Sequence, residues 1–518
     1  MTNKGDNMNT RKIALLILTL GCIITACKKY PAEYKIKDMY SIMLKNPDKA
    51  VDFARTSAEF WTKTYDEKNG GFFTMVARNG DVLGNNYKST LSQSRIMYAF
   101  SRAYMLTGDK KFLKYANYAE DFIRTKCYDK EHGGFYTTVD ATGRNIDFTY
   151  DILLNQNNRQ REKWSFMQHY ALLGYSALVD ATRNEKHFDF LIKSRALLDE
   201  KLYDNRKGYE GYFESADYDW RNPRGKGFTP TMDCVTTHGL SLYLLTNNEK
   251  YKERLISLAD NVITHMYPTS KSRKIGYEEQ YDSEWRPRDE SFIFIGHMLK
   301  TAWCLQRANL ISPKKEYSET AEKILHNINE KAWDNSNGGP YNFADSFEGV
   351  ITNDNKNYWT LEQAITSGLI NYYVTGNTLY LKMADEACGF FERYTIDKEY
   401  GDIFDEVKPD GKRLKTDEDE YKGSYWKSAY HSLETAYYLY LYGNLYFHKK
   451  DVSLFYNIEK SSKNREFPMN PVEEIQNLII SKVELNGKDY TDFDSKKRIL
   501  RVPANTEGEF KVTYSMIK

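Results

Sequence analysis

The chain has 518 residues, with 73 Lys+Arg against 72 Asp+Glu and a net charge of +1, a balance without the basic block that a nucleic-acid binder needs. The length exceeds one small domain and suits one large helical ring with an appendage. Aromatic residues make up 15%, including 42 Tyr, whose flat faces and polar tips serve sugar rings as well as cores.

Residues 1–26 read as a leader. Arg11 and Lys12 precede the apolar run Ile13 to Ile24, followed by Thr25-Ala26-Cys27; the run is too short to span a bilayer and fits a secretory signal. Ile24-Thr25-Ala26-Cys27 resembles the bacterial lipobox, which implies cleavage before Cys27 and lipidation of its thiol; Cys22 fits that pattern less well. The expectation is a protein of the bacterial cell envelope, lipid-anchored to the outer membrane through a tether of residues 27–46. The plain alternative is a cleaved leader with a chance cysteine. Cys127, Cys234, Cys304 and Cys388 are far apart and lack C-x-x-C spacing, so they read as buried free thiols rather than a zinc site.

From residue 47 to 450 the chain repeats itself. Asp66-Glu67-Lys68-Asn69-Gly70-Gly71-Phe72 returns as Asp129-Lys130-Glu131-His132-Gly133-Gly134-Phe135, and more loosely from Asp204, Asp334 and Asp397. Lys274-Ile275-Gly276-Tyr277 occupies the place of a degenerate copy. The spacing of about 60–75 residues is that of two helices and their loops, and the paired glycines mark tight turns with positive φ. Apolar periodicity predicts first-of-pair helices from near Lys88, Lys163, Thr231, Ser291, Asn357 and Tyr425, and second-of-pair helices from near Lys110, His187, Lys250, Glu316 and Thr378. A further helix, Asp48 to Thr64, is left to partner the last. Six pairs closing on themselves predict an all-α (α/α)6 barrel; an open solenoid is the alternative. Residues 451–518 alternate like strands around the Asn486-Gly487 turn and predict a small β appendage.

In such a barrel the first-of-pair helices form the inner ring. Polar residues near their starts then face one funnel: Arg95; Lys163 and Gln168; His238; His297; Trp359 and Gln363; Trp426, Lys427 and His431. His132, His169, His187, His265, His326 and His448 fall off this pattern and read as structural. Imidazoles titrate near neutrality, and two of them flanking a carbon suit removal and return of a proton next to a carbonyl, with an arginine to stabilise the enediolate oxygen.

These segments resemble the N-acylglucosamine 2-epimerase superfamily, in particular its cellobiose and mannobiose 2-epimerases. Ser92-Gln93-Ser94-Arg95 is similar to that family's Gln-Ala-Arg segment and Lys163 to Gln168 to its Lys-x-x-Tyr-x-Gln. Thr236-Thr237-His238 is similar to Asn-Thr-His, Gly296 to Trp303 to Gly-His-Asp-Ile-Glu-x-x-Trp, Lys356 to Gln363 to Lys-x-Trp-Trp-x-Gln-Ala-Glu, and Trp426 to His431 to Trp-Lys-x-Pro-Tyr-His. The resemblance implies His297 and His431 as acid and base, Arg95 at the carbonyl, His238 assisting ring opening or holding the substrate, and Trp359 with Tyr358 as a stacking wall. It implies that Lys163, Gln168, Trp426, Lys427, Tyr430, Lys300 and Gln363 bind substrate. Lys300, Leu361 and Gln363 stand where the family has Glu, Gln and Glu. An ammonium at Lys300, one turn from His297, would depress that imidazole's basicity.

The reading is a carbohydrate epimerase or aldose–ketose isomerase acting on the reducing end of a di- or oligosaccharide, without cofactor or metal. Two alternatives remain. A glycoside hydrolase on the same barrel would need a carboxylate pair, for which Glu362, Glu434, Asp233 and Glu290 are the candidates. A membrane-tethered protein could instead bind sugar without turning it over.

Overall fold

The computed structural model describes residues 34–84, 87–147, 162–414 and 421–517. The leader and Cys27 lie outside the described residues. No helix among those described is long and apolar enough to cross a membrane.

Twelve helices build the ring. The inner six are α2 (Thr90–Thr107), α4 (Ser165–Thr182), α6 (229–246), α8 (Ile295–Ile311), α10 (Tyr358–Thr375) and α12 (Tyr430–Tyr442). The outer six are α1 (Lys49–Thr62), α3 (Lys110–Phe122), α5 (Glu185–Leu202), α7 (Glu249–Asn261), α9 (Lys315–Lys331) and α11 (Thr378–Phe390). Inner helices are buried almost all round, as α4 is from Met167 to Thr182, because neighbours pack on both sides and outer helices behind. Outer helices bury one stripe, such as Phe112, Leu113, Ala116, Ala119 and Phe122 in α3. α12 packs on both α1 and α2, so the ring closes and the helix left over in sequence finds the last inner one. α6 is irregular: its first part, Thr229–Asp233 and Val235–Gly239, winds as π-helix before regular helix resumes at Leu240–Thr246.

Short strands that sequence periodicity did not reveal precede five of the inner helices directly and α12 by a short loop. Tyr87–Ser89 pairs with Thr138–Asp140, Glu162–Trp164 with Ser215–Asp217, and Lys226–Gly227 with Gln280–Tyr281. Phe292–Phe294 pairs with Phe343–Asp345, and Lys356–Asn357 with Glu406–Val407. Tyr421–Gly423 returns to Val76–Ala77, closing this crown as the helices close the ring. Two or three residues are too few to show a period of two, which is why Lys88 and Lys163 looked like helix starts.

Five of these strands carry a buried lysine held by the aspartate of the preceding turn, second in the strand at Lys88, Lys163 and Lys422 and first at Lys226 and Lys356. Lys88–Asp66, Lys163–Asp129, Lys226–Asp204, Lys356–Asp334 and Lys422–Asp397 lie at 2.7, 2.7, 2.8, 3.3 and 2.9 Å. At the fourth copy Ile293 takes the lysine's place, the turn aspartate is absent too, and Arg273–Glu278 at 2.6 Å is the local ion pair. Each aspartate also accepts backbone N–H groups of its own turn, as Asp66 does from Lys68 and Asn69. Gly71 (φ +68°) and Gly134 (φ +73°) let the chain come so close that a Cβ would lie 2.6 Å from Phe122 and 2.5 Å from Trp220.

The C-terminal residues form a four-stranded sheet in the order Val452–Ile458, Gly508–Met516, Leu478–Leu485, Lys488–Asp489 and a three-stranded sheet Arg465–Pro468, Ile499–Val502, Phe493–Asp494. They cover the end of the ring where the inner helices finish. Asn470 donates to the Leu244 carbonyl, Tyr104 and Tyr373 donate to Glu509 and Glu474, and Arg307 at the foot of α8 pairs with Glu473 at 2.9 Å.

Removing one partner of a buried ion pair leaves the other charge unpaired, so Lys163→Met should destabilise the fold by about 3–5 kcal/mol, with partial recovery in Lys163→Met/Asp129→Asn, read as denaturation midpoints. The turn aspartates carry a pH dependence of known sign. Burial alone would raise their pKa, but the lysine ammonium and turn N–H groups outweigh it and hold Asp66, Asp129 and Asp334 below the usual range, with Asp204 at about 2. A depressed folded pKa stabilises above the unfolded value and is lost on acidification. The melting temperature should therefore fall as pH drops through about 4, the unfolded aspartate value, and keep falling toward the value of Asp204.

Candidate active site

The repeat sets which way each inner-helix residue faces. Counting from the strand lysine or its Ile293 equivalent, the seventh residue on is Arg95, Tyr170, Asp233, Lys300 and Gln363, and all five line one cavity. The fifth residue points back at the preceding turn instead. Gln93 and Gln168 each accept from and donate to the backbone of Phe72 and Phe135, at 2.7–2.9 Å. The cavity, of about 490 Å³, opens at the helix N-termini. Its wall also includes Trp164, Phe166, Phe294, His297, Trp359 and His431, with Trp426 at the rim, 47% exposed.

This register corrects several expectations. Lys163 is fully buried on Asp129 and Gln168 is engaged with Phe135, so both hold turns rather than substrate. Lys427 donates to the Lys422 carbonyl at 2.8 Å and lies 3.6 Å from Asp402, away from the cavity. Tyr430 is 1% exposed behind the wall, edge-on to Tyr98. His238 sits deeper, wholly buried, with Nε2 2.9 Å from His169 Nδ1 and 4.0 Å from Cys234 Sγ. Its reach from the π-helical start of α6 carries it out of the funnel.

The remaining expected residues converge. Trp359, on the inner helix between theirs in chain order, lies 5.4 Å from His297 and 6.4 Å from His431, ring centre to ring centre. Each histidine has a carboxylate behind Nδ1. His297 meets Glu279 at 2.7 Å and stacks on Phe228 at 3.9 Å; Glu279 is fixed in turn by the Phe294 N–H. His431 meets Glu362 at 3.2 Å, with Glu434 at 3.6 Å. Glu362 also accepts from Gln363, so its oxygen favours a proton on His431 Nδ1 and leaves Nε2 a bare base. The carboxylate on His431 thus comes from Glu362, the neighbour of Gln363 on the same helix. Arg95 donates to the Trp426 carbonyl and lies over the faces of Tyr170 and Tyr430, with its Nε unpartnered.

Charge inside this wall is tightly arranged. Burial raises the pKa of Glu362 and Glu434, and the Glu434 charge raises that of Glu362 further. Burial lowers the basicity of His431, and the cations Arg95, Lys300 and Lys427 lower it further. The ammonium of Lys300 therefore bears on His431, and it is itself held by Asp233 at 2.5 Å. Burial opposes that ammonium, but Asp233 more than restores it.

Two clusters group metal-ligating side chains, His169–Cys234–His238 and Glu362–His431–Glu434. In the first, the imidazole nitrogens already satisfy one another at 2.9 Å. In the second, the carboxylates already engage His431 and Gln363. Of the four carboxylates considered for glycoside hydrolysis, only Asp233 lines the cavity, and it is paired; Glu290 is exposed and Glu362 and Glu434 lie beneath His431. Tyr170 and Glu279 escaped the sequence reading as site residues, and Asp233, Glu362 and Glu434 entered it only as candidates for glycoside hydrolysis; the seven-residue offset within the repeat points to Tyr170 and Asp233.

Residues 71–435 match the family model of N-acylglucosamine 2-epimerase (GlcNAc 2-epimerase). A cellobiose 2-epimerase from Ruminococcus albus is 26% identical over 394 residues, covering 72% of this chain and 92% of the relative. A D-mannose isomerase from Marinomonas mediterranea is 22% identical over 394 residues, 73% and 93% of the two chains. In fold, the chain is similar to the solved cellobiose 2-epimerase of Spirochaeta thermophila, with a TM-score of 0.68 at 20% identity over 78% of this chain and 98% of that one. A family 76 α-mannanase of Bacteroides thetaiotaomicron shares the barrel more distantly, at a TM-score of 0.52 and 12% identity over 77% of this chain and 98% of that one. With the family model matching residues 71–435, well over half of its length, the chain belongs to the N-acylglucosamine 2-epimerase family.

Proposed function

We propose that the protein is a sugar 2-epimerase or aldose–ketose isomerase that works on the reducing end of a di- or oligosaccharide by moving the C2 proton. The observation that carries this is the gathering of His297 and His431 around Trp359 in one cavity, each with a carboxylate behind Nδ1. A sugar stacked on Trp359 presents C2 to both imidazoles. One removes the proton and the other returns it, to the opposite face of C2 for epimerisation or to C1 for isomerisation. Arg95 faces the oxygen on which enediolate charge develops. The aromatic rim of Trp164, Phe166 and Trp426 extends the stacking surface outward, and the named relatives include enzymes of both cellobiose and D-mannose.

In D2O, cellobiose or D-mannose should gain deuterium at C2, followed by NMR. His297→Asn and His431→Asn should each slow that exchange by about 10²–10⁴-fold; no exchange in the wild type on either sugar would refute the scheme. A neutral His431 at pH 7 is required of a base. Nitrogen-15 shifts should show it with the proton on Nδ1, titrating below the ordinary histidine range, and Lys300→Met should raise that titration by removing a repelling charge. For the cell-envelope address we propose lipidation of Cys27; incorporation of a tagged palmitate in the producing bacterium, lost in Cys27→Ser, is the expected result.

A further inference from the structure

A closed sugar ring has no carbonyl beside C2, so its C2–H is not acidic until the hemiacetal opens. Opening needs a base for the O1 proton and an acid for O5. His238, which the resemblance put forward for that step, is wholly buried and bonded to His169. The wall nevertheless holds an acid and a base in contact. Asp233 on α6 and Lys300 on α8 both line the cavity, 2.5 Å apart. Lys300 follows His297 by three residues, and its charge reaches His431, so the dyad lies at the depth where the chemistry occurs. Among the described residues Asp233 is the one hydrogen-bond acceptor of the Lys300 ammonium, which carries three donors. Both side chains belong to the seventh-residue positions that face inward by the fold's repeat.

We infer that Asp233 and Lys300 are the catalytic pair that opens and recloses the sugar ring, an inference that rests on the reading of the cavity as a reducing-sugar site. The Asp233 carboxylate takes the O1 proton while C1–O1 becomes the carbonyl. The C1–O5 bond breaks with its electron pair going to O5, and O5 takes a proton from the Lys300 ammonium. The new carboxylic acid then passes its proton to the neutral amine across their hydrogen bond. The dyad ends as it began, with no outside acid or base, and the reverse sequence closes the product ring.

The readout is acceleration of anomer interconversion, measured by magnetisation-transfer NMR on cellobiose and D-mannose, separately from deuterium exchange at C2. Asp233→Asn and Lys300→Met should each lose at least tenfold of the acceleration. The isotope effect of 2-deuterated substrate on kcat/KM should shrink toward unity in both, since ring opening then limits the rate. Lys300→Arg, which keeps the ion pair but cannot give up its proton, should lose the acceleration while staying folded by circular dichroism. Unchanged anomer rates in these variants, or acceleration retained in Lys300→Arg, would overturn the inference. A wild type that speeds anomer interconversion without exchanging C2 would refute the epimerase reading and leave the dyad standing.

Discussion

Five times around the barrel a buried ammonium meets a buried carboxylate at the junction of turn, strand and inner helix. Such a pair is costly to desolvate, and its net contribution to stability is small compared with the penalty for breaking it. Its effect here is positional. It fixes the strand that precedes each of these inner helices, and hence the rotational phase of the helix itself. The fifth residue must then turn to the glycine turn and the seventh to the axis. Where Ile293 replaces the lysine, the neighbouring strand pairing and the Arg273–Glu278 pair keep the same phase, and Lys300 still faces inward.

That phase explains a site made from single residues of separate helices. Arg95, Tyr170, Asp233, Lys300 and Gln363 arrive at similar depth because the barrel repeats, yet each brings different chemistry because the repeat constrains only backbone and turn. The cations Arg95 and Lys300 lower the basicity of His431, while the carboxylates beneath it fix its tautomer. Pairing of Lys300 with Asp233 allows an ammonium to stand in a buried wall.

At the other end of the ring, the β appendage supplies Glu473 to Arg307, whose guanidinium stacks on Trp303 at 3.3 Å, and Glu473 also accepts from Tyr442. The barrel's own Tyr442 hydroxyl accepts from Arg307 and Trp303, and the appendage adds the carboxylate that pairs with this guanidinium. The cavity consequently opens at one end, where strands and turns carry the aromatic rim.

Much of the architecture was legible in the sequence: the Asp-x-x-x-Gly-Gly turns gave the period, the period gave six helix pairs, and the unpaired first helix pointed to closure. His297, His431, Arg95 and Trp359 could be named from their places near inner-helix starts. What the sequence by itself did not determine was phase within each helix. Lys163 and Gln168 share the inner-helix starts with Tyr170, but a helix turns 100° per residue, and only the lysine–aspartate contact across the turn decides which of them faces the axis. Long-range partners were equally hidden. Glu279 behind His297, Glu362 behind His431, and Asp233 against Lys300 are brought together by tertiary packing and by the π-helical start of α6, whereas Glu434 lies one turn along the same helix as His431. Sequence determined which side chains the barrel has to offer; tertiary packing decided which of them meet, because hydrogen bonds and charge coupling act over a few ångströms of space and not along the chain.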